Sequence, residues 1–263
     1  MRTAKTVLTV IQERGKQKKP IERVYKLLFN RELYLNAYAK LYPNNGAMTK
    51  GVTDETVDGM SIQKIDRMIE ILREEKYQWK PARREYIKKK NGKKRPLGIP
   101  VWGDKVLQEV MRQILEAYYE PQFSEHSHGF RPNRGCHTAL QEIQVWKGTR
   151  WFIEGDISQY FDTIDHKILL EILARNIHDG RFIRLVSNML EAGYLEEWKF
   201  NQTISGVPQG GVISPILANI YLNEFDNWIE EVLIPKYTKG KRQKSNPEYN
   251  KLTAEIQKLR KEG

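Results

Sequence analysis

The feature that most constrains this chain is the stretch 151–166, in which an apolar run leads into a series of carboxylates. The run 151–153 (Trp-Phe-Ile) favours a β-strand, and Asp156 follows just past a glycine. An acid at the end of a strand lies at the rim of a sheet, where solvent, metal or substrate can reach it. Tyr160 and Phe161 follow, so the segment could hold a hard cation beside a flat sugar. Carboxylate oxygens suit Mg²⁺; the plainer alternative is a buried strand followed by a solvated acidic turn.

A second stretch, residues 206–222, combines a glycine-rich turn with the start of a helix. Its first part, which we call the glycine turn (residues 206–211), holds three glycines that let backbone or ligand approach closely. Ser214 is a favoured N-cap residue, and Pro215 is favoured at the first helical position. The pattern therefore predicts a rigid turn followed by a helix that runs to about residue 233.

Four motifs, taken together and in their order along the chain, resemble one protein family. Residues 156–161 and 208–210 (Pro-Gln-Gly) look like the palm of a reverse transcriptase. Together with residues 95–100 (Arg-Pro-Leu-Gly-Ile-Pro) and 129–134 (Gly-Phe-Arg-Pro-Asn-Arg), the pattern is similar to bacterial group II intron reverse transcriptases, also called maturases. The resemblance covers about residues 20–235, and four ordered motifs are far more specific than any one alone. Retron and diversity-generating polymerases are the alternative, and the long N-terminal extension and the motif at residues 129–132 (Gly-Phe-Arg-Pro) favour the intron type over them.

The resemblance implies an α+β fold, with the fingers and a partial palm of a right-hand polymerase. We expect it to be mainly helical, with a small antiparallel sheet and a basic fingers hairpin. Residues 1–60 would form an N-terminal extension with a template-side loop, residues 61–148 the fingers, and residues 149–234 a partial palm. Residues 235–263 are predicted to be a basic linker or an exposed helix, truncated before the remaining catalytic motif. The turn-rich segment 42–59 is either the loop over the template or an ordinary surface loop.

By resemblance, the chemistry is nucleotide addition, an in-line displacement at phosphorus in which two metal ions clamp the attacking and leaving oxygens. Asp156 would be the catalytic carboxylate and would bind both Mg²⁺ ions, with the carbonyl of Ile157 completing one coordination shell. Phe161 would pack under the sugar and reject a 2′-hydroxyl, so that deoxynucleoside triphosphates are favoured. Gln209 would touch the incoming nucleotide from the glycine turn.

Residues 83–99 are predicted to form a β-hairpin, because the pair 91–92 (Asn-Gly) is a strong turn signal between two extended runs. Six lysines and arginines lie within residues 88–95. They are either a solvated basic ribbon or, by resemblance, cations that fold over a triphosphate and neutralise it. Family motif matching points to Lys89 and Arg95, and either neighbouring lysine is an alternative to Lys89.

The charge of the chain indicates a polyanionic partner. The 44 Lys+Arg exceed the 33 Asp+Glu and leave a net charge of +11, and such an excess neutralises phosphates and releases counterions. The resemblance makes this partner group II intron RNA, together with an RNA template carrying a DNA primer. Residues 1–19 are predicted to be a basic helical arm, either frayed or partner-bound. The predicted RNA contacts are Lys16, Lys18, Lys19, Arg131 and Arg134, with a structural role as the alternative for Arg131.

The sequence also carries expectations about location. No apolar run approaches the roughly 20 residues that a membrane span needs, and no secretory signal is visible at the N-terminus. The single cysteine, Cys136, excludes an intrachain disulfide and fits a reducing compartment. We therefore expect a cytoplasmic protein without a membrane partner.

Apolar periodicity predicts several helices, one of them capped by Ser61 and the others at residues 104–120, 135–147, 166–177 and 181–192. Residues 194–200 favour a strand that forms one arm of a ribbon. The helix over 135–147 would turn four side chains inward, those of Ala139, Leu140, Ile143 and Trp146.

One motif of the family is missing from these residues. The family's third motif, a Tyr-Ala-Asp-Asp-type hairpin, bears the remaining carboxylates, and no adjacent Asp-Asp pair occurs in this sequence. We therefore expect a fragment that binds RNA but does not polymerise on its own, since one carboxylate holds two Mg²⁺ ions poorly. The alternative is a non-catalytic RNA-binding module that assists splicing. An unpaired palm edge and an exposed apolar surface would favour a homodimer.

Overall fold

The computed structural model describes residues 2–88, 92, 94–146, 152–197, 199–203, 205–207, 210–238 and 246–262. It is mainly helical, as expected. The α-helices are α1 (Ala4–Lys16), α2 (Arg31–Leu41), α3 (Ile62–Arg73), α4 (Trp102–Tyr119), α5 (Cys136–Gln144), α6 (Tyr160–Thr163), α7 (His166–Asn176), α8 (Gly180–Glu191), α9 (Ser214–Trp228), α10 (Ile234–Tyr237) and α11 (Pro247–Glu262). Three 3₁₀ turns lie at Val24–Phe29, Val57–Gly59 and Glu120–Gln122, and a π-helical turn at Ile229–Leu233 follows α9.

The strands within the described residues form two small sheets. They are β1 (Ile21–Glu22), β2 (Ala82–Lys88), β3 (Lys94–Ile99), β4 (Ile177–His178), β5 (Tyr194–Glu196) and β6 (Lys199–Asn201). β1 pairs with β4, and the larger sheet has the order β3-β2-β5-β6.

The predicted hairpin at 83–99 is confirmed, because β2 and β3 pair antiparallel with Ile87 opposite Arg95. The expectation of a purely antiparallel sheet was wrong. β1 runs parallel to β4, and β2 runs parallel to β5 with Ala82 opposite Tyr194. Parallel neighbours need a long crossover connection, and helices lie in the chain between β2 and β5 that allow one.

Helix α4 is the centre of the core, since its stripe from Val106 to Tyr118 is buried. Helix α1 packs directly on it: a Cβ at Gly15 would lie only 2.1 Å from the carbonyl oxygen of Tyr118. Ala4 and Ile11 of α1 are buried as well. The N-terminal arm is therefore part of the core and is not frayed, because its apolar side chains bury their surface against α4.

Two predicted helix starts are confirmed by their caps. The Ser61 hydroxyl accepts a hydrogen bond from the Lys64 N–H at 3.3 Å and begins α3. The Asp165 carboxylate accepts one from the Ile168 N–H at 2.9 Å and begins α7. Each cap satisfies an N–H that the first turn of a helix leaves without a partner.

The segment that carries Asp156 is not the expected strand. Residues 152–158 have no regular structure, and Phe152 and Ile153 are 69% and 93% exposed. None of the described strands pairs with this segment. A strand needs a neighbour to accept its backbone hydrogen bonds and cover its apolar side chains, so local β-propensity is not enough here.

Helix α5 forms near its predicted position but does not bury the predicted face. Ala139 is half-buried, and Leu140, Ile143 and Trp146 are 61%, 43% and 49% exposed. The expectation failed because periodicity identifies an apolar face without identifying what covers it. Among the described residues, nothing packs over this face well enough to bury it.

The chain divides into two compact units, residues 1–224 and 225–263. The second unit is helical, and its last helix, α11, exposes Tyr249, Leu252, Ile256 and Leu259. Part of the basic C-terminal stretch, Pro247–Glu262, is therefore an exposed helix, and its role as a linker stays a prediction. No helix in the described part of the chain is both long enough and apolar enough to cross a membrane.

Candidate functional site

The β2–β3 hairpin presents a mixed cationic and apolar face. Because side chains alternate along a strand and Ile87 lies opposite Arg95, the side chains of Ile87, Arg95 and Leu97 share one face of the ribbon. Arg95 and Lys88 are exposed near the tip. The other predicted phosphate ligand, Lys89, lies outside the described residues.

This face borders a cavity of about 660 Å³, which we call the hairpin cleft. Its lining brings together residues that are far apart in the chain: Ile87, Lys88, Arg95 and Leu97 from the hairpin, Phe130, Phe161, and Gly210, Gly211, Ser214 and Pro215. The volume lies within the range of small-ligand sites, about 300–1,000 Å³. Two of the predicted nucleotide-binding residues, Arg95 and Phe161, therefore share one cavity.

The glycine turn lies between helix α6, which carries Phe161, and the β2–β3 hairpin. Gly206 has φ +87, and a Cβ there would lie 2.8 Å from both the Asp162 Cα and the Phe161 oxygen. Gly210 has φ +101, and a Cβ there would lie 2.6 Å from Cδ1 of Leu97. Both positions thus require glycine for its conformation and its size. Gln209 lies outside the described residues, directly before Gly210.

Hydrogen bonds join the glycine turn to the Phe161 helix. The Val207 N–H donates to the Phe161 carbonyl at 2.8 Å, and the Gly206 N–H donates to the Ile164 carbonyl at 2.8 Å. The Tyr160 hydroxyl donates to the Ala218 carbonyl in α9 at 2.7 Å. These bonds fix Phe161 relative to the turn and the helix that follows it.

The sequence did not identify Gln108 as a residue of this site. Gln108 is buried in α4, and its Oε1 accepts a hydrogen bond from the Val212 N–H at 2.9 Å. It therefore holds the end of the glycine turn against the core. The available signal was an uncharged amide within the apolar stripe of α4, where a buried polar group needs a partner.

Phe130 also lines the hairpin cleft and was not singled out. Its ring is 70% exposed and meets Phe161 edge to face, with 6.3 Å between ring centroids and an interplanar angle of 86°. The available signal was its place inside the 129–134 motif, directly before Arg131.

Asp156 is exposed on its segment and does not line the hairpin cleft. In the described part of the chain, no three His, Cys, Asp or Glu side chains form a group able to hold a metal ion. The predicted metal ligands, the Asp156 carboxylate and the Ile157 carbonyl, belong to two exposed residues of this segment. Such a set fits Mg²⁺, which is usually bound by one or two carboxylates plus substrate phosphates.

The predicted RNA contacts divide into exposed and buried residues. Lys16, Lys18 and Lys19 are exposed at the C-terminal end of α1, and Lys16 pairs with Glu13 at 2.7 Å. Arg131 is only 8% exposed. Its guanidinium donates to the carbonyls of Ser124 and Ser127 at 2.6 and 2.7 Å.

Arg131 also pairs with Glu120 at 2.9 Å, so its contacts are those of a structural residue, and its role toward RNA stays a prediction. Arg134 is partly buried, donates to the Glu125 carbonyl, and lies 3.6 Å from the Glu125 carboxylate. Arginine suits both positions because its planar group offers several donors at once.

Comparison with known proteins identifies the family. A family model described as "Reverse transcriptase (RNA-dependent DNA polymerase)" matches residues 87–241. The group II intron-encoded protein LtrA of Lactococcus lactis subsp. cremoris is 47% identical over 239 residues, which are 90% of this chain and 40% of that protein. Protein YkfC of Escherichia coli K12 is 39% identical over 241 residues, covering 88% of this chain and 62% of that protein.

An uncharacterized 91 kDa protein in the cob intron of Schizosaccharomyces pombe is 47% identical over 237 residues, covering 87% of this chain and 29% of that protein. Among solved structures, a chain of a Cas6-RT-Cas1–Cas2 complex matches with a TM-score of 0.52 at 20% identity, over 79% of this chain and 22% of that chain; this likeness concerns the fold alone. The chain thus spans 40% of the length of LtrA. It belongs to the reverse transcriptase (RNA-dependent DNA polymerase) family and is similar to the members that group II introns encode.

Proposed function

We propose that this chain supplies the nucleotide-binding part of an RNA-directed DNA polymerase of the group II intron type. The observation that carries the proposal is the hairpin cleft, where Arg95, Phe161 and the glycine turn border one cavity. The cation suits a triphosphate, and the aromatic ring suits a sugar. The glycine turn, which has few side chains, lets the rest of a nucleotide approach closely.

In this proposal Arg95 and Lys89 neutralise the triphosphate, and Arg95 acts from the exposed end of the hairpin. Phe161 packs under the sugar and rejects a 2′-hydroxyl, which makes the substrates deoxynucleoside triphosphates. Gln209 contacts the incoming nucleotide from the glycine turn. The close fit of Gly206 and Gly210 supports this role, because it leaves the turn little freedom to move away from the cleft.

Asp156 and the Ile157 carbonyl would hold Mg²⁺ as the catalytic metal site. The ion would supply charge neutralisation at the reacting phosphate and its attacking and leaving oxygens. The exposure of Asp156 supports the proposal, since the carboxylate can reach a substrate without first breaking an ion pair within the described residues.

In the right-hand arrangement, residues 61–148 form the fingers and residues 149–234 a partial palm. The segment 42–59 is then the template-side loop of the N-terminal extension. Its Gly46 and Thr49 border a cavity of about 220 Å³ together with Leu97 and Gly210. The Lys105 ammonium donates to the Gly46 and Thr49 carbonyls at 3.1 and 2.9 Å, so the loop is fixed beside the cleft.

The proposed partners are an RNA template with a DNA primer and the group II intron RNA itself, bound for splicing and retrohoming. The net charge of +11 and the exposed lysines at the end of α1 support an RNA partner. A relative named "Nuclear intron maturase 1, mitochondrial" from Arabidopsis thaliana, 27% identical over 192 residues, agrees with a splicing role. A cytoplasmic location and a homodimer stay predictions. Residues 1–263 alone are proposed to bind RNA without polymerising.

Primer extension on an RNA template with deoxynucleotides and Mg²⁺ tests the proposal. The polypeptide of the complete gene is compared with Asp156→Ala and with Glu154→Ala, an exposed acid on the same segment. Extension by the wild type and Glu154→Ala, but not by Asp156→Ala, supports the catalytic assignment. If no protein extends the primer and all bind RNA with a steep salt dependence, the non-catalytic RNA-binding function replaces it.

A further inference from the structure

The loop before α5 presents an aromatic side chain to the hairpin cleft from a strained backbone. Phe130 has φ +56, in the left-handed region where a bulky residue is an outlier. Its ring is 70% exposed although it lines a cavity. Backbone strain of this kind persists only where the surrounding structure imposes it, and it clusters at functional sites.

Both neighbours of Phe130 are held in place. On one side, the Gly129 carbonyl accepts a hydrogen bond from the Asn219 side-chain amide in α9 at 2.8 Å. On the other side, the buried Arg131 guanidinium donates to the Ser124 and Ser127 carbonyls. These contacts fix the backbone on both sides of Phe130 and with it the direction of the bond from its Cα to its Cβ.

The ring of Phe130 leans against the ring of Phe161. The two meet edge to face at 6.3 Å, and Tyr160 contacts Phe161 as well, at 5.8 Å and 60°. Edge-to-face pairs of this geometry contribute more to stability than the burial of their apolar surface alone. Phe161 is therefore held between two aromatic neighbours, one on the 129–134 loop and one on its own helix.

We propose that Phe130 is a positioning residue for sugar discrimination. Its ring supports the ring of Phe161, so that Phe161 cannot turn away from a 2′-hydroxyl on the sugar; we call this support the brace. Arg131 is then the anchor that presents Phe130 to the cleft. This inference rests on the proposed function, in which Phe161 contacts the sugar. It gives the 129–134 motif a role at the nucleotide rather than at the RNA backbone.

The test measures kcat/KM for a deoxynucleotide and for the matching ribonucleotide, using the polypeptide of the complete gene. The variants are Phe130→Ala, Phe130→Tyr, Phe161→Ala and the double alanine variant. Leu140→Ala, another exposed apolar residue, is the control. We expect Phe130→Ala to lower the deoxy-to-ribo selectivity roughly two- to tenfold. Phe130→Tyr keeps the ring and should keep the selectivity.

The double variant should be no less selective than Phe161→Ala, because the brace has no effect without the ring that it supports. Selectivity unchanged in Phe130→Ala, or additive losses in the double variant, would overturn the proposal. A general loss of stability would lower both rates without changing their ratio.

If the wild type does not polymerise, the proposed function fails. The contact between Phe130 and Phe161 is then tested by its effect on stability. The urea midpoints of wild type, both single variants and the double variant of residues 1–263 then form a cycle. Non-additive changes in the midpoint would show that the two rings stabilise each other. Additive changes would show that they do not, and would overturn the proposed support of Phe161 by Phe130.

Discussion

Gly206 lies against the backbone of Asp162, so closely that a Cβ on Gly206 would be 2.8 Å from the Asp162 Cα. This contact joins the glycine turn to the helix that carries Phe161. It relates two motifs that are separated by more than 40 residues in the sequence and makes them one unit.

Gly206→Ala should push the glycine turn away from the backbone of Asp162. The φ of +87 and the short contact both oppose a side chain, and we expect a loss of about 1–3 kcal/mol in the free energy of unfolding. Primer extension by the complete gene product should fall as well. Urea unfolding of both variants measures the effect, with Gly155→Ala as the control because a Cβ there meets nothing within 4 Å. Equal midpoints for the two variants would contradict the packing argument.

Gln108→Leu should loosen the end of the glycine turn. The Val212 N–H would lose its acceptor, at a cost of about 1–3 kcal/mol, and the KM for deoxynucleotides should rise. Gln113→Leu is the matched variant on the same helix, because its amide donates to the Leu33 carbonyl at 3.2 Å, away from the cleft. Both variants should lose stability, but a KM change in Gln113→Leu as large as that in Gln108→Leu would refute the assignment.

Arg131→Ala should act on stability rather than on RNA affinity. Removing the guanidinium leaves the half-buried Glu120 carboxylate without this partner and the Ser127 carbonyl without this donor, and we expect a cost of about 1–3 kcal/mol. Urea unfolding measures the loss, and RNA binding is measured at a temperature where the variant is folded. An unchanged unfolding midpoint with a reduced salt dependence would instead support the predicted contact between Arg131 and RNA.

Lys18→Ala and Lys19→Ala should weaken RNA binding without affecting the fold. Both side chains are exposed, and each lost phosphate contact reduces the slope of log K against log salt by about one unit. Binding titrations at several salt concentrations give that slope. Lys64→Ala is the control, because Lys64 pairs with Glu55 at 3.1 Å; a similar change there would mean that the effect is only one of net charge.

Asp104 should make the stability depend on pH. Burial raises the pKa of this carboxyl from 3.8 to about 6, although hydrogen bonds from the Tyr77 hydroxyl and the Lys80 N–H oppose the shift. A raised pKa in the folded state means that the stabilising contribution is complete below about pH 4 and is lost as the pH rises through 6.

The loss over that interval amounts to about 3 kcal/mol at most. Urea unfolding of wild type and Asp104→Asn between pH 4 and 7 measures it, since the asparagine cannot titrate. Parallel pH profiles for the two proteins would show that another group is responsible.

The parts of the fold that depend on local sequence were predictable. The hairpin follows from the Asn-Gly pair between extended runs, and α3 and α7 begin at Ser61 and Asp165 because each side chain caps its own first turn. The motifs also identified Arg95 and Phe161, which do line one cavity. These features need only neighbours within a few residues, or a motif that is recognisable by itself.

Contacts between distant segments decided the rest. The exposure of the α5 face and of the Asp156 segment depends on whether another part of the structure covers them, which periodicity does not report. Arg131 became an anchor because Glu120, Ser124 and Ser127 surround its guanidinium, and Phe130 became part of the cleft because that anchor aims its ring at Phe161. The sequence by itself determined the hairpin, the helix starts at Ser61 and Asp165, and the family that the motifs resemble. Only the tertiary structure decided which side chains meet, because burial and pairing are set by segments far apart in the chain.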